Sequence, residues 1–97
     1  MIKYLENESD YKAIVNEGVW LIDFYADWCG PCKMLGGELE KLTDVNILKI
    51  NTDQYTDLAL SYGVMSIPAI FILKDGEVIK KSVGYKTYDE LKAFIEE

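Results

Sequence analysis

The sequence predicts an α/β protein: a mixed β-sheet covered by helices on both faces. Three observations lead there. Strand-like apolar runs alternate with helical spacings in the order βαβαβαββα. The run Val19–Ala26 is apolar almost throughout, as in a strand buried on both faces. Asp75-Gly76 lies between two apolar strands, a strong signal for an antiparallel hairpin near the end. The chain has 97 residues, about half of them apolar, enough for one core, so residues 1–97 read as a single domain.

Each element has its own warrant. Lys3-Tyr4-Leu5 is a short strand candidate. Asn7 is placed to cap a helix, with Asp10 at the capping-box position. Tyr11, Ile14 and Val15 share a helical face, and Gly18 suits the exit. The strand Val19–Ala26 is interrupted only by Asp23. Leu35, Leu39 and Leu42 keep helical spacing in a second helix, and Pro31 suits its first turn. Val45–Ile50 reads as a second buried strand. Tyr55, Leu58, Ala59 and Tyr62 mark a third helix, stopped at Gly63. Ile67-Pro68 opens a strand through Leu73, and its hairpin partner runs Glu77–Val83. Lys80 and Lys81 there suit an edge, where charge discourages strand addition. Thr87 with Glu90 forms a capping box for a last helix with Tyr88, Leu91, Phe94 and Ile95 on its buried face.

Charge removes several functions. Ten lysines face seventeen carboxylates, for a net charge of −7, and arginine is absent. Neither a nucleic-acid backbone nor an anionic membrane surface is an expected partner. No apolar run approaches the ~20 residues of a membrane span, and the N-terminus carries no signal-like apolar stretch. Histidine is absent too, which removes Ser-His-Asp and Cys-His catalysis and every His-containing metal site.

Two cysteines remain, Cys29 and Cys32. Random placement would put two cysteines three apart only roughly 2% of the time, so the spacing carries information. One chain with two cysteines and no histidine cannot complete a zinc tetrahedron, and Lys33 breaks the heme-attachment pattern. Redox chemistry between the two thiols survives. Cys29 follows a buried strand and begins a helix, where free backbone N–H groups and the positive end of the dipole favour a thiolate. Cys32 lies one turn on and deeper, as the resolving thiol of a dithiol exchange would. A structural staple is the competing reading, but so short a loop restrains little of the unfolded chain. Asp23 could be an ordinary strand residue facing solvent, but its apolar neighbours argue for burial, where a lone carboxylate is costly.

Trp28-Cys29-Gly30-Pro31-Cys32 resembles the WCGPC motif of the thioredoxin family, and the resemblance extends over essentially the whole chain. Asp23-Phe24-Tyr25-Ala26 is similar to the strand segment before that motif. Lys49 resembles the family lysine facing the buried aspartate. Tyr62 to Pro68 is similar to the segment ending in a cis-proline, and Gly84 to the glycine lining the substrate groove. The resemblance implies a thioredoxin fold, a five-stranded mixed sheet flanked by four helices. It implies a thiol-disulfide oxidoreductase that reduces protein disulfides, with Cys29, Cys32, Asp23 and Lys49 catalytic. Substrate would be held by Trp28, Gly30, Pro31, Ile67, Pro68 and Gly84. The partners implied are a thioredoxin reductase and disulfide-containing client proteins. The redox centre would be the Cys29–Cys32 disulfide, with no other cofactor and no metal, in a monomer of the cytoplasm.

The sequence departs from the family in two places. The stretch from Cys32 to Lys49 is short, so the second helix is expected to be truncated. Gly37, beside Gly36, replaces the usual kinking proline and would permit a bend there. Two other functions compete. A dedicated oxidase or isomerase would commonly carry a histidine between its cysteines, where this chain has Gly30-Pro31. A non-enzymatic binding module would use the thiol face only for docking.

Overall fold

The computed structural model describes residues 1–97. Its elements are β1 (Ile2–Tyr4), a single 3-10 turn (Glu8–Asp10), α1 (Tyr11–Val15), β2 (Val19–Tyr25), α2 (Gly30–Leu39), β3 (Asn46–Asn51), α3 (Thr56–Ser61), β4 (Ala69–Lys74), β5 (Glu77–Val83) and α4 (Tyr88–Glu96). The five strands form one sheet in the order β1-β3-β2-β4-β5. β1 and β2 both run parallel to β3, while β4 is antiparallel to β2 and to β5. This is the mixed sheet with four helices that the sequence predicts.

The strands alternate their side chains between two cores. Trp20, Ile22 and Phe24 of β2 join Leu48, Ile50, Phe71 and Leu73 on the face covered by α1 and α3. Leu21, Ile47, Ile70 and Ile72 join Leu35 and Leu39 of α2 and Leu91 of α4 on the other. Trp20, 8% exposed, is core packing, as its apolar surroundings imply. In the first core Phe24, Tyr62 and Phe71 pack ring against ring at centroid distances of 5.0–5.6 Å. There the Tyr11 and Tyr62 hydroxyls are hydrogen-bonded to each other. Burial, together with that partner, holds the Tyr11 hydroxyl protonated well above the ordinary tyrosine range.

Several local expectations are corrected. Asn7 caps only the 3-10 turn and makes no side-chain cap; its backbone carbonyl accepts from Asp10 instead. Leu42 is buried but lies beyond α2, in the turn that follows it. Tyr55 precedes α3 as its N-cap, and Tyr62 follows it. The β4 ladder begins at Ala69 rather than Ile67, consistent with Pro68 having no N–H to donate. Lys80 does more than blunt an edge. Its ammonium donates to the carbonyls of Phe94 (2.8 Å) and Glu97, closing the C-terminal end of α4 where backbone acceptors are otherwise open. The Thr87–Glu90 capping box is present in both directions at the other end.

The second helix is short, as expected, yet it is one continuous helix through Gly36-Gly37. The two glycines differ in surroundings. Gly37 is exposed, and a Cβ there would meet nothing within 4 Å, whereas one at Gly36 would come within 3.2 Å of the Lys49 ammonium. Gly37→Ala should therefore raise stability by ~0.5–1 kcal/mol through helix propensity alone, read as a higher denaturation midpoint with an unchanged slope.

Candidate functional site

Cys29 is placed by the end of β2. The chain leaves the strand at Tyr25 and turns, with the Cys29 N–H donating to the Ala26 carbonyl at 3.2 Å. Cys29 is then the N-cap of α2, in extended conformation, with Pro31 in the first helical turn. From the cap its sulfur faces the open end of the helix, and the Cys32 N–H points at Cys29 Sγ at 3.2 Å. A backbone donor and the positive end of the dipole both favour negative charge on that sulfur.

Cys29 and Cys32 are joined in a disulfide, with their Cα atoms 5.2 Å apart. They are 4% and 2% exposed, so both are nearly covered, where the sequence predicted a reachable first cysteine and a deeper second. Their positions separate them better than their exposure does. Cys29 sits at the cap, its sulfur 3.9 Å from the Ile67 carbonyl oxygen, while Cys32 lies inside the helix. Ala26, Tyr25 and Ile67 complete the apolar wall around the pair.

The Ile67–Pro68 bond is cis. Gly84, at φ +97°, a backbone region that favours glycine, donates its N–H to the Pro68 carbonyl at 2.8 Å. Trp28 is 72% exposed, and its indole N–H donates to Asp53 Oδ2 at 3.0 Å. Asp53 is in turn tied by its N–H to Asn51 Oδ1 at 2.8 Å. Beside Trp28 opens a groove of about 520 Å³ walled by Leu60, Val64, Met65 and Ile67. Of the six residues the resemblance assigns to substrate, Trp28 and Ile67 line this groove; Gly30, Pro31, Pro68 and Gly84 do not. The sequence reading missed Asp53 and the Leu60–Met65 wall. No local signal pointed to Asp53, since the N–H of an exposed indole can be satisfied by water.

Asp23 is fully buried, and neither carboxylate oxygen has a hydrogen bond. Register sets Asp23 beside Lys49 on the adjacent strand, and the ammonium lies 3.7 Å from Oδ2. Burial wins over that attraction: the Asp23 pKa is raised from 3.8 to about 6, with Lys49 opposing the rise.

A cysteine pair bridged at a helix N-terminus, its first sulfur facing the Ile67 carbonyl, defines a site for dithiol–disulfide exchange. The comparisons with known proteins agree. The thioredoxin family model matches residues 2–97. A thioredoxin of Bacillus subtilis is 44% identical over 93 residues, covering 91% of this chain and 89% of the relative. The mitochondrial thioredoxin of Bos taurus is 42% identical over 89 residues, 87% of this chain and 54% of that protein. Among solved structures, a point-mutant thioredoxin from Halobacterium salinarum superposes with a TM-score of 0.88 at 37% identity, covering 98% of this chain and 88% of that one. The chain belongs to the thioredoxin family, and it is a thiol-disulfide oxidoreductase.

The Asp23 pKa has a thermodynamic consequence with a definite sign. The folded pKa lies above the unfolded one, so folding is penalised as pH rises from 3.8 through about 6, and the full penalty persists above. A difference of roughly two units corresponds to ~3 kcal/mol. Asp23→Asn cannot ionise. It should be more stable than the parent by up to that amount at pH 8 and nearly equal at pH 3, as read from denaturant melts at both pH values.

Proposed function

We propose that this chain is a general reductant of protein disulfides in which Cys29 attacks and Cys32 resolves. The observation that carries the assignment is the cap geometry: Cys29 Sγ receives the helix N–H of Cys32, and Cys32 has no such donor. The Cys29 thiolate attacks one sulfur of a client disulfide. That bond breaks, the other client sulfur leaves as a thiolate and takes a proton, and a mixed disulfide remains. Cys32 gives up its proton and attacks Cys29 Sγ. The second client thiol is released, and two electrons have passed to the client. Asp23, with a pKa near neutrality, is the acceptor for the Cys32 proton. Lys49 favours the ionised acceptor.

The client would lie across the Cys29 edge, over Trp28, Gly30 and Pro31. Ile67 makes no backbone–backbone hydrogen bond of its own, which leaves it free to pair with an extended client segment beside Pro68 and Gly84. A thioredoxin reductase returns the two electrons. We place the protein in a reducing compartment, the cytoplasm, as a monomeric single domain over residues 1–97 whose redox centre is the cysteine pair. Its net charge of −7 disfavours nucleic acid and anionic membrane as partners, and no helix is long and apolar enough to cross a membrane. Gly30-Pro31 between the cysteines supplies no charge to stabilise the reduced form, which favours a reductant over an oxidase.

Cys32→Ser should accumulate mixed disulfides with clients and Cys29→Ser almost none, as seen on non-reducing gels; the reverse pattern would exchange the two roles. In single-turnover reduction, Asp23→Asn should slow release of the reduced client by ~10²-fold or more while leaving formation of the mixed disulfide nearly unchanged.

A further inference from the structure

The Lys49 ammonium is surrounded by residues outside the redox motif. Register lines up one row of residues across the sheet: Tyr4 of β1, Lys49 of β3, Asp23 of β2 and Ile70 of β4. This row faces α2. The ammonium of Lys49 stands 5.5 Å from the centre of the Tyr4 ring and 4.9 Å from that of Tyr25, and the two rings meet edge to face at 6.2 Å. On the α2 side Gly36 presents no side chain, and a Cβ there would crowd the ammonium at 3.2 Å. The cation thus sits in a cage of two tyrosine faces and a bare helix backbone.

Nothing else in the row locks it. At 3.7 Å the Asp23 carboxylate attracts the ammonium without a hydrogen bond. A cleft of about 200 Å³ gives it a way toward water; Tyr4, Tyr25, Asp27, Cys32, Lys33 and Lys49 line it. Lys49 is the charged group against Asp23, Tyr4 and Tyr25 are the titratable groups at Lys49, Asp27 and Lys33 share the cleft, and the β4 neighbour in the row is Ile70. A desolvated ammonium gains more from an aromatic face than an exposed ion pair supplies.

We infer that Tyr4 is a positioning residue of the redox site, its ring holding the Lys49 ammonium beside Asp23 and so adjusting the carboxyl that serves Cys32. The inference rests on the proton-acceptor role given above to Asp23. Tyr4 acts through Lys49 and is not itself a catalytic residue. With its ring removed, the ammonium moves along the cleft toward water, and Asp23 loses part of the attraction that favours its anion.

The test follows the Asp23 carboxyl carbon by NMR across pH in the oxidised full chain, where no turnover is involved. Tyr4→Leu keeps bulk and removes the aromatic face; Tyr4→Phe keeps the face. The Asp23 midpoint should rise by ~0.5 pH unit in Tyr4→Leu and stay put in Tyr4→Phe. In a Lys49→Met background, Tyr4→Leu should add no further shift. An unmoved or lowered midpoint in Tyr4→Leu overturns the inference. So does an equal shift in Tyr4→Phe, or a shift that persists without Lys49. The pH profile of client release, measured on the same variants, tells this inference apart from the reading it rests on. A midpoint that moves while the profile stays fixed upholds the positioning by Tyr4 and removes the acceptor role of Asp23.

Discussion

The site depends above all on the register of β2. This strand lies between β3 and β4, and its two faces feed different cores. Alternation sends Leu21, Asp23 and Tyr25 toward α2, and Trp20, Ile22 and Phe24 toward α1 and α3. A slip of one residue would exchange the two sets. It would set a carboxyl among the aromatic rings of the first core and take Lys49 away from it. The same strand also aims the redox pair, because Cys29 is hydrogen-bonded to Ala26 one residue past the strand's end. Position along β2 therefore sets both the sulfur and the carboxyl.

Asp23 shows how two opposing effects are weighed. Removing a carboxylate from water disfavours its charge, and a cation at 3.7 Å favours it. A hydrogen-bonded partner would have turned the balance toward a low pKa. Both carboxylate oxygens lack one, so desolvation dominates and the group titrates near neutrality. In the acceptor role proposed for Asp23, a carboxyl that holds or releases a proton near neutrality serves a thiol that must become a thiolate. The energetic cost falls on folding stability, which links the site's chemistry to the chain's pH dependence.

The surroundings of α2 show how a departure from the family pattern reads once placed in space. Two adjacent glycines in a short helix look like a weakness. Gly37 is only that, since its Cβ position is open. Gly36 instead leaves the space that the Lys49 ammonium approaches. The helix is also tied at its far end, where Glu38 accepts the Tyr88 N–H at 2.9 Å and so joins α2 to the start of α4. The Glu38 carboxyl is held below its ordinary pKa by its hydrogen bonds, first from Lys41 and then from the Tyr88 backbone.

The features legible in the sequence were local. The spacing of Cys29 and Cys32, Pro31 in the first turn, the Thr87–Glu90 box and the Asp75-Gly76 turn all act within a few residues, where backbone preference decides. The continuous apolar runs of β2 and β4 were equally legible, because a strand buried on both faces is apolar almost throughout. The approach of Lys49 to Asp23, and the cis form of the Ile67–Pro68 bond, were expected only through family resemblance. Tertiary structure alone decided that Trp28 leans on Asp53, that Lys80 closes α4, and that Tyr4 reaches Lys49. Each joins residues from separate elements. No local preference encodes such a meeting; strand register and helix packing bring the partners together once the whole sheet has formed.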